Sequence, residues 1–212
     1  EQYSVYAAAA ELCGELPLTI RTLDIGADKG LPYMTLPAEE NPNLGIRGIR
    51  FCLKNPELFK TQLRAILRAS ARGKVKIMLP MVCLREEIVR TRTLLEECMR
   101  ELDERSLPYN KDIELGIMIE TPAAAMVSDE LAKEVDFFSV GTNDLTQYTL
   151  EIDRQNTKLD EFYDAHHPAV LRMISMVAEN AHKAGIWAGI CGERGADTTL
   201  TQEFLAMGID EL

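Results

Sequence analysis

Asn143 and Asp144 follow an apolar run, Phe137-Phe138-Ser139-Val140, by way of Gly141 and Thr142. An amide and a carboxylate therefore stand side by side where a strand should run out. In parallel α/β folds ligands bind at the carboxyl ends of the strands, because loops vary there while the strands hold them rigid. An isolated Asp in a turn more often caps a helix or shapes the turn. Asp144 gains meaning only if other strand ends carry chemistry too.

They do. Arg21 and Asp24 close one apolar segment, Arg47 and Arg50 lie in the next, Glu120-Thr121-Pro122 ends Ile113–Ile119, and Cys191-Gly192-Glu193 ends Trp187–Cys191. A charge inside an apolar strand is costly unless it is paired or used. For Arg21, an ion pair with Asp24 or Glu120 accounts for the charge as well as ligand binding does. Glu120 and Asp144, expected on neighbouring strands, could jointly hold a hard divalent cation, since Mg²⁺ sites use one or two carboxylates and leave room for substrate phosphate. Arg21, Arg47 and Arg154 could clamp a phosphate through forked hydrogen bonds. A lone thiol such as Cys191 at a buried strand end is more often inert; it becomes a proton donor only where the other strand ends share its pocket.

The elements that must position these residues read as alternating helix and strand. Helices are predicted at about 2–15, 56–72, 84–105, from 123, 168–184 and 198–207. Strands are predicted at 18–25, 45–49, 75–80, 113–119, 135–140 and 187–191. Pro56 and Gly73 punctuate the second helix as a first-turn proline and a terminal glycine do. Leu84, Ile88, Leu95 and Leu102 mark one buried stripe on the third. The strands are almost wholly apolar, which predicts burial on both faces. Six units fit an open doubly wound sheet or most of a barrel. No GxGxxG or GxxxxGK[ST] loop follows a strand, so a (β/α)8 TIM barrel with about six of its eight βα units is the better expectation.

With 212 residues and 46% hydrophobic composition, the chain can bury a sizeable core. Its net charge of −11 argues against a nucleic-acid partner. Its apolar runs are broken by charge well short of a membrane span, and no leader stands at the start, so a soluble, cytoplasmic protein is expected. Five scattered cysteines, Cys13, Cys52, Cys83, Cys98 and Cys191, without a CxxC pair, predict reduced thiols. The chain starts inside a helical pattern and stops where a strand would start, as a fragment of a longer protein would.

Five segments carry a resemblance that covers nearly the whole chain in order: Arg21-Thr22-Leu23-Asp24-Ile25-Gly26-Ala27-Asp28-Lys29, Glu40-Asn41-Pro42-Asn43-Leu44-Gly45-Ile46-Arg47, Glu120-Thr121-Pro122-Ala123-Ala124, Gly141-Thr142-Asn143-Asp144-Leu145-Thr146-Gln147-Tyr148 and Cys191-Gly192-Glu193. Together they resemble the phosphoenolpyruvate-utilising family, and within it the branch that feeds bacterial sugar phosphotransferase systems. The resemblance implies a barrel binding phosphoenolpyruvate and Mg²⁺ at the carboxyl ends of its strands. It implies Glu120 and Asp144 as metal ligands, Arg21, Arg47, Asn143 and Arg154 on the substrate with Lys29 nearby, and Cys191 as the acid that yields pyruvate.

It further implies an amino-terminal phosphohistidine domain absent from this chain, a phosphocarrier protein reached through that domain, and a homodimer of the complete protein. Three departures accompany it. The family's first and eighth barrel strands would fall outside residues 1–212, and none of His166, His167 and His182 stands in a phosphohistidine context. Gly26-Ala27 replaces the more usual Gly-Gly. Two other readings stay open: the barrel of a dikinase or synthase whose other domain binds ATP, and a module that serves only binding and dimerisation.

Overall fold

The computed structural model describes residues 1–26, 37–164 and 166–212, which form two compact units, Glu1–Met81 with Glu86–Leu115, and Val82–Arg85 with Gly116–Leu212. Among the described residues no helix is long and apolar enough to cross a membrane.

The first unit contains α1 (Gln2–Cys13), β1 (Leu18–Arg21), α2 (Gly48–Lys54), α3 (Pro56–Ala69), β2 (Val75–Leu79) and nearly all of α4 (Arg85–Glu104). β1 and β2 pair in parallel, Leu18 opposite Val75 and Arg21 opposite Met78. Pro56 opens α3, and its buried face of Phe59, Leu63, Ile66 and Leu67 follows helical spacing. In α4 the expected stripe appears as buried Ile88, Leu95 and Leu102. Leu84 stands one residue ahead of the helix and is exposed, so it does not belong to that stripe.

Two expectations fail here. The segment 45–49 is not a strand: a short 3-10 turn, Pro42–Leu44, leads into α2, which starts at Gly48. Gly48 has φ +54°, and a Cβ there would lie 2.7 Å from that of Met81, so backbone passes too close for any side chain. The Ile49 N–H donates to Pro80 O at 3.2 Å, an anchor that turns the chain into a helix instead of running it along β2. β1 is also not buried on both faces, since Thr19 and Arg21 are exposed. Five strands are therefore formed among the described residues, with one further parallel bridge, Gly189 to Glu211, at the carboxyl end.

The second unit holds β3 (Leu115–Ile119), α5 (Pro122–Met126), α6 (Ser128–Leu131), β4 (Phe137–Gly141), α7 (Thr142–Leu150), α8 (Pro168–Ala184), β5 (Trp187–Cys191) and α9 (Thr201–Ala206). β4 lies between β3 and β5, parallel to both. Every residue of β3 and β4 is buried, as their unbroken apolar sequences predict. Phe137 and Trp187 stack across β4 and β5 with ring centroids 4.6 Å apart. The helix expected from 123 is split at Val127, whose φ of −112° leaves the helical range. α8 spans the predicted residues: Pro168 starts it, and Gly185, left-handed at φ 80°, ends it.

Candidate functional site

The ends of three strands stand abreast in the second unit. Ile119 pairs with Val140, and Gly141 pairs with Cys191, so Glu120, Gly141 and Cys191 occupy successive positions along one edge. Gly141 is both the last residue of β4 and the cap of α7, leaving no loop between strand and helix. Thr142, Asn143 and Asp144 then form the first helical turn, where the backbone N–H groups and the helix dipole favour negative charge. The cap position belongs to Gly141, which makes Asp144 the third residue of the helix and not its cap.

Glu120 is 1% exposed, an unusual depth for a carboxylate. A Cβ built on Gly141 would lie 2.8 Å from both Glu120 Cβ and Glu120 Oε2, so the carboxyl group rests directly against the backbone ahead of α7. Gly141→Ala is expected to force that carboxylate aside and to destabilise the protein by about 2 kcal/mol, as overpacking does. Urea denaturation would measure the loss; a variant as stable as the parent would mean that Glu120 can move freely.

Asp144 faces Arg154, with Nη1 3.6 Å from Oδ2, and the two side chains are 15% and 37% exposed. Arg154 lies in the segment after α7, and with Asn143, Gln155, Leu159, Asp160 and Tyr163 it lines a cavity of about 420 Å³. That is the size of a small-metabolite site. The Thr142 hydroxyl, fully buried, has no hydrogen-bond partner among the described residues.

Cys191 is half-buried, and its thiol lies 3.6 Å from Val140 O. Two other cysteines show what an inert thiol looks like. Cys52 and Cys98 are buried, and burial pushes their thiols up to about 12 and about 11. None of the five cysteines forms a disulfide, as expected.

In the first unit, Arg47 is 6% exposed and forks onto Asp24, with Nη2–Oδ2 at 3.0 Å and Nε–Oδ1 at 3.4 Å. Asn43 Oδ1 accepts from Nη1 at 3.4 Å. Glu39 holds the approach by accepting the Ile46 N–H. Asp24, offered by the sequence as a partner for Arg21, is thus engaged by Arg47. Removing either member would cost a buried charge its forked partner, so the pair also braces the segment. Arg21 ends β1 with its side chain exposed. Lys29 lies outside the described residues.

The histidines have structural employment. His166 Nε2 meets Asp197 at 3.2 Å, His167 Nδ1 accepts the Ala169 N–H as the cap of α8, and His182 Nε2 meets Asp210 at 2.9 Å. Asp197 is held below the usual carboxylate range, first by its bonds to Thr199 and then by His166.

The family described as "PEP-utilising enzyme, PEP-binding domain" matches residues 1–212. The chain belongs to the phosphoenolpyruvate-utilising enzyme family. Relatives named phosphoenolpyruvate-protein phosphotransferase include those of Listeria monocytogenes, 48% identical over 211 residues, and Bacillus subtilis, 46% identical. In both cases the match covers 100% of this chain and 37% of the relative, so the chain spans little more than a third of their length. Solved structures with the same fold include an HpcH/HpaI aldolase from Desulfitobacterium hafniense, with TM-score 0.53, 14% identity and coverage of 99% of this chain and 79% of that one. A Haloferax volcanii malate synthase aligns with TM-score 0.55, 13% identity and coverage of 99% and 50%. At such identities the likeness speaks for the α/β fold of this family member alone.

Sequence reasoning assigned no role of their own to Gln147 and Thr142, and of the wall built from residues 152–163 it singled out only Arg154. That segment is polar and aperiodic, so no hydrophobic pattern marks it. Gln147 had one available signal: it stands one helical turn beyond Asp144, on the same face of α7.

Proposed function

We propose that this chain is the phosphoenolpyruvate-binding part of an enzyme I of the sugar phosphotransferase system, a cytoplasmic phosphoenolpyruvate-protein phosphotransferase. The observation that carries the reading is the row of adjacent strand ends bearing Glu120, Asn143 with Asp144, and Cys191, in a chain whose whole length matches the family. In the complete protein these strands belong to a (β/α)8 barrel, and a separate amino-terminal domain supplies the phosphohistidine. A homodimer and a phosphocarrier protein as the next acceptor are part of the same proposal.

Glu120 and Asp144 fit a bound Mg²⁺. Glu120 rests against Gly141 immediately before the turn that carries Asp144, and two hard carboxylates with room for substrate oxygens make the donor set this ion takes. When bound, the ion would offset the negative charge of the phosphate and carboxylate groups. Arg154 and Asn143, both on the wall of the 420 Å³ cavity, bind and orient the substrate's anionic groups; Arg21 and Arg47, with Lys29 nearby, enter the proposal from the family resemblance alone.

Phosphoryl transfer asks for positioning and charge neutralisation more than for covalent help. The P–O bond of phosphoenolpyruvate breaks, the phosphoryl group passes to a histidine nitrogen, and the bridging oxygen keeps the electron pair as an enolate. The Cys191 thiol then gives its proton to the methylene carbon, and pyruvate leaves. With radiolabelled phosphoenolpyruvate and Mg²⁺, the full-length protein is expected to acquire one acid-labile phosphohistidine per pyruvate released. The isolated 212 residues should acquire none. An unlabelled full-length protein would overturn the reading.

A further inference from the structure

We propose that Gln147 is the positioning residue for Arg154: it roots the segment that carries the arginine onto α7, so that the guanidinium is held beside Asn143 and Asp144. The inference rests on the reading of Arg154 as a substrate-binding residue.

α7 ends at Leu150, and Glu151 takes the left-handed conformation with φ 57°, which turns the chain back. A non-glycine residue in this region needs support from its surroundings. Gln147 supplies it from two sides. Its carbonyl oxygen accepts the N–H of Glu151 and, at 3.1 Å, that of Ile152. Its side-chain Oε1 accepts the N–H of Arg154 at 3.1 Å. One residue thus fixes three backbone amides across the reversal.

The other side-chain acceptors nearby act within the segment itself. Asp153 Oδ1 takes the Gln155 N–H, and Asn156 Oδ1 takes the Lys158 N–H. They shape the segment, whereas Gln147 ties it to the helix bearing the site. Gln147 is 8% exposed, so water is poorly placed to replace its amide oxygen. The tie matters because the far end of Arg154 is loosely held: its 3.6 Å approach to Asp144 is long for an ion pair and one-third exposed. A flexible side chain whose head is loose depends on its root for direction, and small displacements of a substrate clamp are expensive.

The test is a double-mutant cycle in the full-length enzyme, reading phosphoenolpyruvate affinity by calorimetry and KM and kcat by pyruvate release. Q147M keeps length and helix propensity but removes the acceptor. It should raise Kd and KM roughly tenfold, the worth of one shielded hydrogen bond, with kcat changed less than about threefold. Q147E, which still presents an oxygen to the Arg154 N–H, should restore most of the affinity. In an R154A background Q147M should add nothing, because the residue acts through the arginine.

Should Q147M fail to fold by circular dichroism, Q147A serves in its place. If R154A weakens binding but Q147M does not, or if Q147M weakens binding equally in both backgrounds, the inference falls and the reading of Arg154 stands. If R154A itself leaves affinity unchanged, both fall together.

Discussion

Asp144→Asn in the full-length enzyme is expected to lower phosphoenolpyruvate affinity in the presence of Mg²⁺ by roughly a hundredfold, about 3 kcal/mol. The substitution keeps the shape of the side chain and removes its charge. A divalent ion held by two carboxylates would lose one of them, and an amide oxygen is a poor replacement. The cost to the fold should be small, since a charge in the first turn of α7 contributes at most about 1 kcal/mol there. Binding measured in chelator should change little, because Arg154, Asn143 and the remaining cations do not depend on the metal. Calorimetry with and without Mg²⁺ separates the two cases. A D144N protein whose affinity responds to Mg²⁺ as the parent's does would remove Asp144 from the proposed metal site.

Cys191→Ala is expected to cut pyruvate formation by roughly a thousandfold, the usual scale for a lost general acid, while Kd for phosphoenolpyruvate stays within a few fold. The thiol is half-buried at the end of β5, directly across from Gly141, and so borders the turn that carries Asn143 and Asp144. Its position sets it apart from Cys52 and Cys98, which are sealed in the core and held protonated by burial far above neutral pH. Alanine removes the proton and little volume, so substrate contacts should survive. A C191A enzyme with the parent's turnover would return Cys191 to the inert thiols.

Much of the second unit was legible in the sequence because its signals are local and strong. Pro168 and Gly185 bracket α8, and β4 reads as an unbroken apolar run stopped by Gly141. Glu120 and Cys191 were likewise visible as polar residues closing apolar strands, and the register sets both beside Gly141, three residues ahead of Asp144. The failures have physical causes too. Residues 45–49 look strand-like, yet the close passage of Met81 forces Gly48 to positive φ and starts a helix. Thr19 and Arg21 sit in an apolar strand but face outward, because burial depends on neighbours that a single strand's sequence does not name. The bond from Arg154 N–H to the Gln147 side chain was hidden for a similar reason: it spans seven residues through a reversal that no periodicity announces.

The absence of any loop between β4 and α7 has a consequence for how this site can change. Asn143 and Asp144 are mounted on a rigid joint, in which strand geometry passes to helix geometry within one residue. A single residue inserted after Gly141 would rotate both side chains by about 100° around the helix axis and carry them off the site. The segment from Gln155 to Tyr163, beyond the amides that Gln147 holds, forms the opposite wall of the cavity and is under no such constraint of length. Diversity in what the site accepts is therefore free to accumulate on that wall, while the joint that carries the charge admits substitution but not insertion.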